Sequence, residues 1–256
     1  MADTINLEAS QKIVSVQGLD HYHSKAKTEI CEEVMGMVSN PNLLDNPDFS
    51  INQRNVSGTI NTAGYFVDRW KLTKGTVTLN SDGTITLNGT ITQVLETAVG
   101  TDVVASASAG TASYNNATKA FTLTASGAKV SWAKLEKGTK ATVFVYPNPA
   151  LELAKCQRYL QKLNSYEAIR AAYVHPNYID FGIPTPVTMR AGAISLTGTA
   201  EIYPFPITTA VTGFELSIVT YAQNQLRLRA TKTGHGLADS VLVIPAGGSA
   251  LLSSEL

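Results

Sequence analysis

The chain has 256 residues, 44% of them hydrophobic and 16% charged, and 20 Lys+Arg balance 20 Asp+Glu. A zero net charge with no basic stripe argues against a nucleic-acid partner, the apolar content argues against disorder, and no apolar run approaches the roughly 18 residues of a membrane span. Cys31 and Cys156 are too few for a disulfide scaffold or a zinc ribbon, and the opening MADTINLEAS lacks the charged and apolar regions of a signal peptide. The expectation is a soluble chain of one or two domains that folds inside the cell.

Gly18 to Val38 contains no proline and reads as a helix with Asp20 as its cap. Leu19, Tyr22, Ala26, Ile30, Val34 and Met37 recur at spacings of three and four and give it one apolar face, with Glu29, Glu32 and Glu33 elsewhere. Asn40-Pro41-Asn42 ends it, because the residue before proline avoids the helical region.

Residues 42–146 read as β. Thr76–Asn80 and Thr84–Asn88 alternate around Ser81-Asp82-Gly83, the pattern of a hairpin. Phe121–Thr124, a turn at Ala125-Ser126-Gly127 and Lys129–Trp132 predict a second hairpin, and Ala141–Tyr146 a further strand. Val103–Ala117, rich in Ala, Ser, Gly and Asn, reads as a loop. In residues 147–165, Pro147-Asn148-Pro149 introduces a helix from Ala150 to Leu163 with Leu153, Cys156, Leu160 and Leu163 on one face. Cys156 is then a small core residue and not a reactive thiol.

Residues 166–256 return to β, with strands expected at Arg170–Phe181, Val187–Thr197, Phe214–Tyr221, Gln225–Ala230 and Ser240–Ile244. Leu226-Arg227-Leu228-Arg229 alternates, so its leucines face a core while its arginines are solvated or paired. Ile183-Pro184-Thr185-Pro186 and Tyr203-Pro204-Phe205-Pro206 read as edges or connectors.

Little here carries chemistry. His21 and His23, two apart on a helix, point to opposite sides, so they read as solvated residues and not as metal ligands. His235 sits in a Gly-His-Gly turn, and Gly247-Gly248 suits a turn better than a phosphate cradle. No nucleophile elbow, zinc-protease helix, Walker loop or dinucleotide fingerprint occurs. Asp45, Asp48 and Asp68, and Asp180, Glu201 and Glu215, show no pairing that would mark a glycosidase. Trp70 and Phe66 alternate toward a core, a better reading than ligand stacking. Tyr173 and His175 share a strand face, and Pro176-Asn177 turns the chain into Tyr178, so these three form a candidate exposed aromatic cluster.

The segment Asn42-Leu43-Leu44-Asp45-Asn46-Pro47-Asp48-Phe49-Ser50-Ile51-Asn52-Gln53-Arg54, followed by Gly64-Tyr65-Phe66-Val67-Asp68-Arg69-Trp70, resembles the opening of a carbohydrate-binding-module-like jelly roll. That module occurs in bacteriophage tail-fibre and baseplate appendage proteins. Trp132–Thr142 resembles the family's Q-L-E-x-G-S-x-A-T strand, and Leu151–Leu160 its E-L-A-L-C-Q-R-Y-Y helix. Pro186–Ala191 resembles its F-P-V-x-M-R segment, and Ser254-Glu255-Leu256 its terminal A-E-L. The span between the first two blocks is shorter than the family's, which implies a trimmed first jelly roll.

The resemblance implies a mainly β chain of two β-sandwich or jelly-roll-like modules, residues 42–146 and 166–256, joined by a short helix within 147–165. Residues 1–41 precede them as a helical attachment segment. It further implies a virion structural protein assembled in the bacterial host cytoplasm, a fibre or tail appendage that binds a receptor and not an enzyme. It would be a homotrimer, dock on baseplate, tail or capsid proteins and touch a host-surface glycan, with no cofactor, metal, nucleic acid or membrane insertion. Within it Leu19, Tyr22, Ile30 and Val34 are expected to attach to the particle, and Tyr173, His175 and Tyr178 to meet the host surface. The alternatives are a head fibre or capsid decoration protein and, from another class, a free carbohydrate-binding module of a glycan-degrading system.

Overall fold

A computed structural model describes residues 24–27, 39–163, 168–190, 194–198, 200–206, 208–222, 225–244 and 250–255. Of the expected N-terminal helix, residues 24–27 are helical, while Leu19, Tyr22, Ile30, Val34, His21 and His23 lie outside the described residues, as do Gly247 and Gly248. The described chain is mainly β, arranged in four antiparallel sheets around two clusters of buried apolar side chains.

The first large sheet contains β1 (Gly58–Ile60), β2 (Gly64–Val67), β3 (Trp70–Leu79), β4 (Ile85–Val94), β6 (Thr111–Asn115) and β7 (Ala120–Val130). Its order is β1-β3-β4-β7-β6, with β2 also paired to β3, while β5 (Val103–Ala107) pairs separately with β8 (Ala133–Lys137). The expected hairpin is present as β3 and β4, whose register puts Val77 opposite Leu87 and Leu79 opposite Ile85. Alternation along these strands, reset in β3 by a register shift between Leu72 and Lys74, sends Leu72, Val77, Ile85, Leu87 and Ile91 into one core. Trp70 lies at its centre, its ring 5.1 Å from Phe49 and 5.8 Å from Phe121, and its indole N–H donates to the Asn46 carbonyl at 2.7 Å. Gly75 and Gly89 face one another across β3 and β4, where a Cβ on either would meet a backbone oxygen at 2.1 or 2.0 Å. Only glycine lets the two backbones approach so closely.

Several local expectations are corrected. Phe66 and Trp70 belong to two strands of one hairpin, joined through Asp68-Arg69, although both are fully buried. Residues 125–127 do not turn the chain: β7 runs on through them, and a register shift opposite Leu87–Gly89 makes a bulge in which Gly127 takes φ +68°. Val103–Ala117 is no loop but contributes β5, partly buried throughout and paired with β8, and β6, paired with β7 and partly buried at Ala112 and Tyr114. Residues 141–148 join no strand. They are held instead by a buried ion pair, Lys134 to Glu136 at 3.0 Å, whose lysine also donates to the Thr142 hydroxyl at 2.7 Å and the Val143 carbonyl at 2.8 Å.

The helix predicted for 150–163 is shorter. α1 spans Pro149–Gln157, with the Asn148 side chain accepting from the Ala150 N–H at 3.0 Å and proline at the start, where its missing N–H costs nothing. A turn at 158–159 then leads into β9 (Leu160–Leu163), so Leu160 and Leu163 lie on a strand and not on the helix face of Cys156. Cys156 is fully buried, as expected, and burial pushes its thiol far up.

The second large sheet runs β13-β16-β10-β11-β15-β14, formed by β10 (Ala168–His175), β11 (Tyr178–Pro184), β13 (Glu201–Pro204), β14 (Glu215–Ala222), β15 (Gln225–Thr231) and β16 (Ser240–Val243). A three-stranded sheet, β12 (Ser195–Gly198), β17 (Ala250–Ser253) and β9, completes it. The strand-like stretch 170–181 is a hairpin with the expected turn at Pro176-Asn177, and among the described residues of 187–197 only those of β12 are strand. Pro204 ends an edge strand, as its missing N–H requires. Ile179, Phe181, Ile183, Leu226, Leu228 and Ala230 fill the second core.

Between the two cores lies a buried polar junction. Arg69, in the left-handed conformation at φ +70°, donates from Nε to Asp45 at 3.2 Å, from Nη1 to Glu255 at 3.1 Å and from Nη2 to the Val94 carbonyl at 2.7 Å. Its guanidinium lies 3.5 Å from the centre of the Tyr159 ring. Glu152 of α1 accepts the Asn46 N–H at 2.6 Å, and the Asn46 amide donates to the carbonyls of Ile51 and Asp68, both at 2.9 Å. Gln53 donates to the Asp68 carboxylate through its backbone at 3.0 Å and its side chain at 2.5 Å, and to the Leu160 carbonyl at 2.8 Å. Ser254 closes the junction by donating its N–H to the Tyr159 carbonyl at 2.7 Å.

Candidate functional site

The three aromatic residues singled out in the sequence come together on the second large sheet. Antiparallel pairing sets His175 of β10 opposite Tyr178 of β11, and Tyr173 opposite Asp180. A bulge between Ala171 and Tyr173 keeps Tyr173 and His175 on the outer face while Val174 turns inward, opposite the buried Ile179. On the far side of β11, Asp180 stands opposite Arg229, and Gly182 opposite Arg227. The alternation of Leu226 to Arg229 therefore sends its leucines into the core and both arginines to the face that carries the aromatic rings.

The rings are not equivalent. His175 stacks on Tyr178 with centroids 4.5 Å apart and planes within 16°. The Arg229 guanidinium lies 3.7 Å from the centre of the same Tyr178 ring, approaching from the β15 side. Tyr178 is thus sandwiched and offers neither face to a ligand. Tyr173, tilted at 42° to Tyr178 with centroids 6.1 Å apart, keeps 51% of its surface exposed.

Asp180 is buried beneath the two arginines. Arg229 grips it with Nε to Oδ1 at 2.7 Å and Nη2 to Oδ2 at 2.9 Å, and Arg227 adds its Nε to Oδ2 at 2.9 Å. Burial works to raise the Asp180 carboxyl, and the hydrogen bonds from Arg229 and Arg227 outweigh it, holding the group below its usual range. Two guanidiniums on one carboxylate leave a single net positive charge there.

The remaining chemistry candidates are structural. His235 accepts the Leu237 N–H at Nδ1, so Nε2 carries the proton and donates to the His175 carbonyl at 2.7 Å, tying the two loops together. Asp45 and Asp68 belong to the buried junction, Asp48 caps Ser50 at 2.8 Å, and Glu201 accepts the Tyr203 hydroxyl at 2.7 Å. Glu215 ends up exposed at the start of β14. Among the described residues no group of three or more His, Cys, Asp or Glu could hold a metal ion. Sequence reasoning found the rings and placed Arg227 and Arg229 on one face, but it missed Asp180 as their shared partner. The signal for that was the cross-strand register, which joins positions far apart in the chain.

No protein-family model, curated protein or solved structure matches this chain.

Proposed function

We propose that the chain is a structural subunit of a bacteriophage particle, forming a fibre or tail appendage, with the second large sheet facing outward. In this reading the two core clusters are two β-sandwich modules, the first a trimmed jelly roll, and residues 1–41 attach the subunit to the particle as part of a homotrimer. One observation carries the reading: three of the blocks behind the resemblance, residues 42–70, 151–160 and 254–256, converge on a single buried network. Asn46, Gln53, Asp68, Arg69, Glu152, Tyr159 and Glu255 come from segments far apart in the chain, and each has a partner within that network. The blocks therefore act as parts of one fold-defining lock, as a shared family architecture would require.

A second observation supports the polarity. Val145 and Tyr146 are exposed and, with Asn40, line a shallow groove formed by residues 39–42 and 144–147, where the attachment segment joins the β region. Exposed apolar surface of this kind marks a contact with another protein. The test is immunogold labelling of purified virions with antibodies to this chain. Label on the tail or baseplate is expected; label on the capsid assigns it to a head fibre or decoration protein, and unlabelled particles overturn the reading. Light scattering should give three times the mass of one chain, and a monomer at micromolar concentration would count against the trimer.

A further inference from the structure

Residues in register across β10, β11, β15 and β14 form rows on the outer face of the second large sheet. Tyr173, Asp180, Arg229 and Ser217 make one row; Gly182 and Arg227 belong to the next. Gly182 has no side chain, so the surface dips between Tyr173 and Arg227 and leaves the strand backbone accessible. Arg227 spends Nε and Nη2 on Asp180, while its Nη1 makes no hydrogen bond among the described residues and 45% of its side chain is exposed. Arg229 likewise keeps Nη1 out of its two-point grip on Asp180. An open aromatic ring, a bare strand and two guanidinium edges with one unbalanced positive charge thus lie side by side.

Each part selects a different feature of a ligand. An exposed tyrosine ring accepts the C–H face of a pyranose while its hydroxyl stays wet. Arginine edges recognise carboxylates in a planar, directional way that neutral hydroxyls do not match. The positive charge rejects cations and disfavours neutral partners relative to anionic ones. We infer that this face binds an acidic saccharide, with a uronate ring on Tyr173 and its carboxylate on the free edges of Arg227 and Arg229. The inference rests on the reading of this sheet as the outward face. It narrows the partner from host surface in general to a carboxylated glycan.

The test uses the purified full chain in calorimetric titration with oligogalacturonate, its methyl ester and dextran. Oligogalacturonate should bind at millimolar or lower concentration, at least about tenfold more tightly than the ester, which keeps the ring and loses the charge. Tyr173→Ala and Arg227→Gln should each weaken binding about tenfold with little change in melting temperature, because Tyr173 is exposed and Arg229 still holds Asp180. Equal binding of acid and ester, binding unaffected by Tyr173→Ala, or no binding of the acid by the parent chain overturns the inference. Should Arg227→Gln unfold, Tyr173→Ala and the ester still decide the matter. These results come from the isolated chain, so they can fail while virion labelling succeeds, and the reverse.

Discussion

Arg69→Ala should be among the most damaging single changes in this protein. The side chain is 1% exposed and holds Asp45, Glu255 and the Val94 carbonyl while stacking on Tyr159. Burial disfavours its charge, and the nearby Glu255 carboxylate, Tyr159 and Asp45 more than restore it, so the guanidinium stays charged. Removing it strands the buried Glu255 carboxylate, which keeps the Arg69 backbone N–H at 3.2 Å and Arg54 at 3.4 Å. Breaking a buried pair from one side costs about 3–5 kcal/mol. The left-handed backbone at this position burdens arginine and alanine alike, so it drops out of the difference. In urea unfolding the variant should lose that much stability, and its melting temperature should fall by roughly 10 °C. Glu255→Gln removes the stranded charge, so the double variant should be more stable than the two single losses predict, with a coupling of about 0.5–3 kcal/mol. A loss below about 1 kcal/mol for Arg69→Ala, or strict additivity with Glu255→Gln, would refute the reasoning.

Two further outcomes follow from the first core and the junction. Trp70→Ala should cost about 3–5 kcal/mol in thermal or urea unfolding, since it opens a cavity between Phe49 and Phe121 and leaves the Asn46 carbonyl with the Phe49 N–H as its remaining donor; an unchanged melt would place the ring outside the core. Burial raises the Asp68 carboxyl from 3.8 to about 6 against the hydrogen bonds from Gln53, so the folded chain holds this proton more tightly than the unfolded one. The contribution is full below about pH 4 and is lost as pH rises through about 6, about 3 kcal/mol in all. Asp68→Asn should flatten that part of the stability profile, measured as urea midpoints from pH 4 to 7, and parallel profiles for parent and variant would contradict the assignment.

What the sequence made legible was local. The β3–β4 hairpin, the alternation of Leu226 to Arg229, the asparagine cap of α1 and the burial of Cys156 and Trp70 all follow from neighbours within a few positions. The misreadings had non-local causes. Leu153, Cys156, Leu160 and Leu163 satisfy a helical period, yet Leu160–Leu163 pairs with Ala250–Ser253, and that pairing overrides the period. Ala141–Tyr146 alternates like a strand, but among the described residues no strand pairs with it. The β5 sequence Val-Val-Ala-Ser-Ala looks loop-like in composition, and only β8 running beside it makes it a strand. At the candidate site the aromatic residues were close in sequence and therefore visible. The Asp180–Arg229 pair, 49 positions apart, depended on register.

The junction also sets an order of events during synthesis. Glu255 is made 186 residues after Arg69. At ribosomal speeds of about 5–20 residues per second, Arg69 spends roughly 10–40 s without its second carboxylate. During that interval Asp45 is its available acidic partner, and the Tyr159 face arrives about midway. The first β region can therefore collapse early around Trp70 yet remain incompletely neutralised until Glu255 emerges. A chain that lacks Glu255 would leave the Arg69 cation with Asp45 as its carboxylate partner, a species suited to chaperone capture or proteolysis.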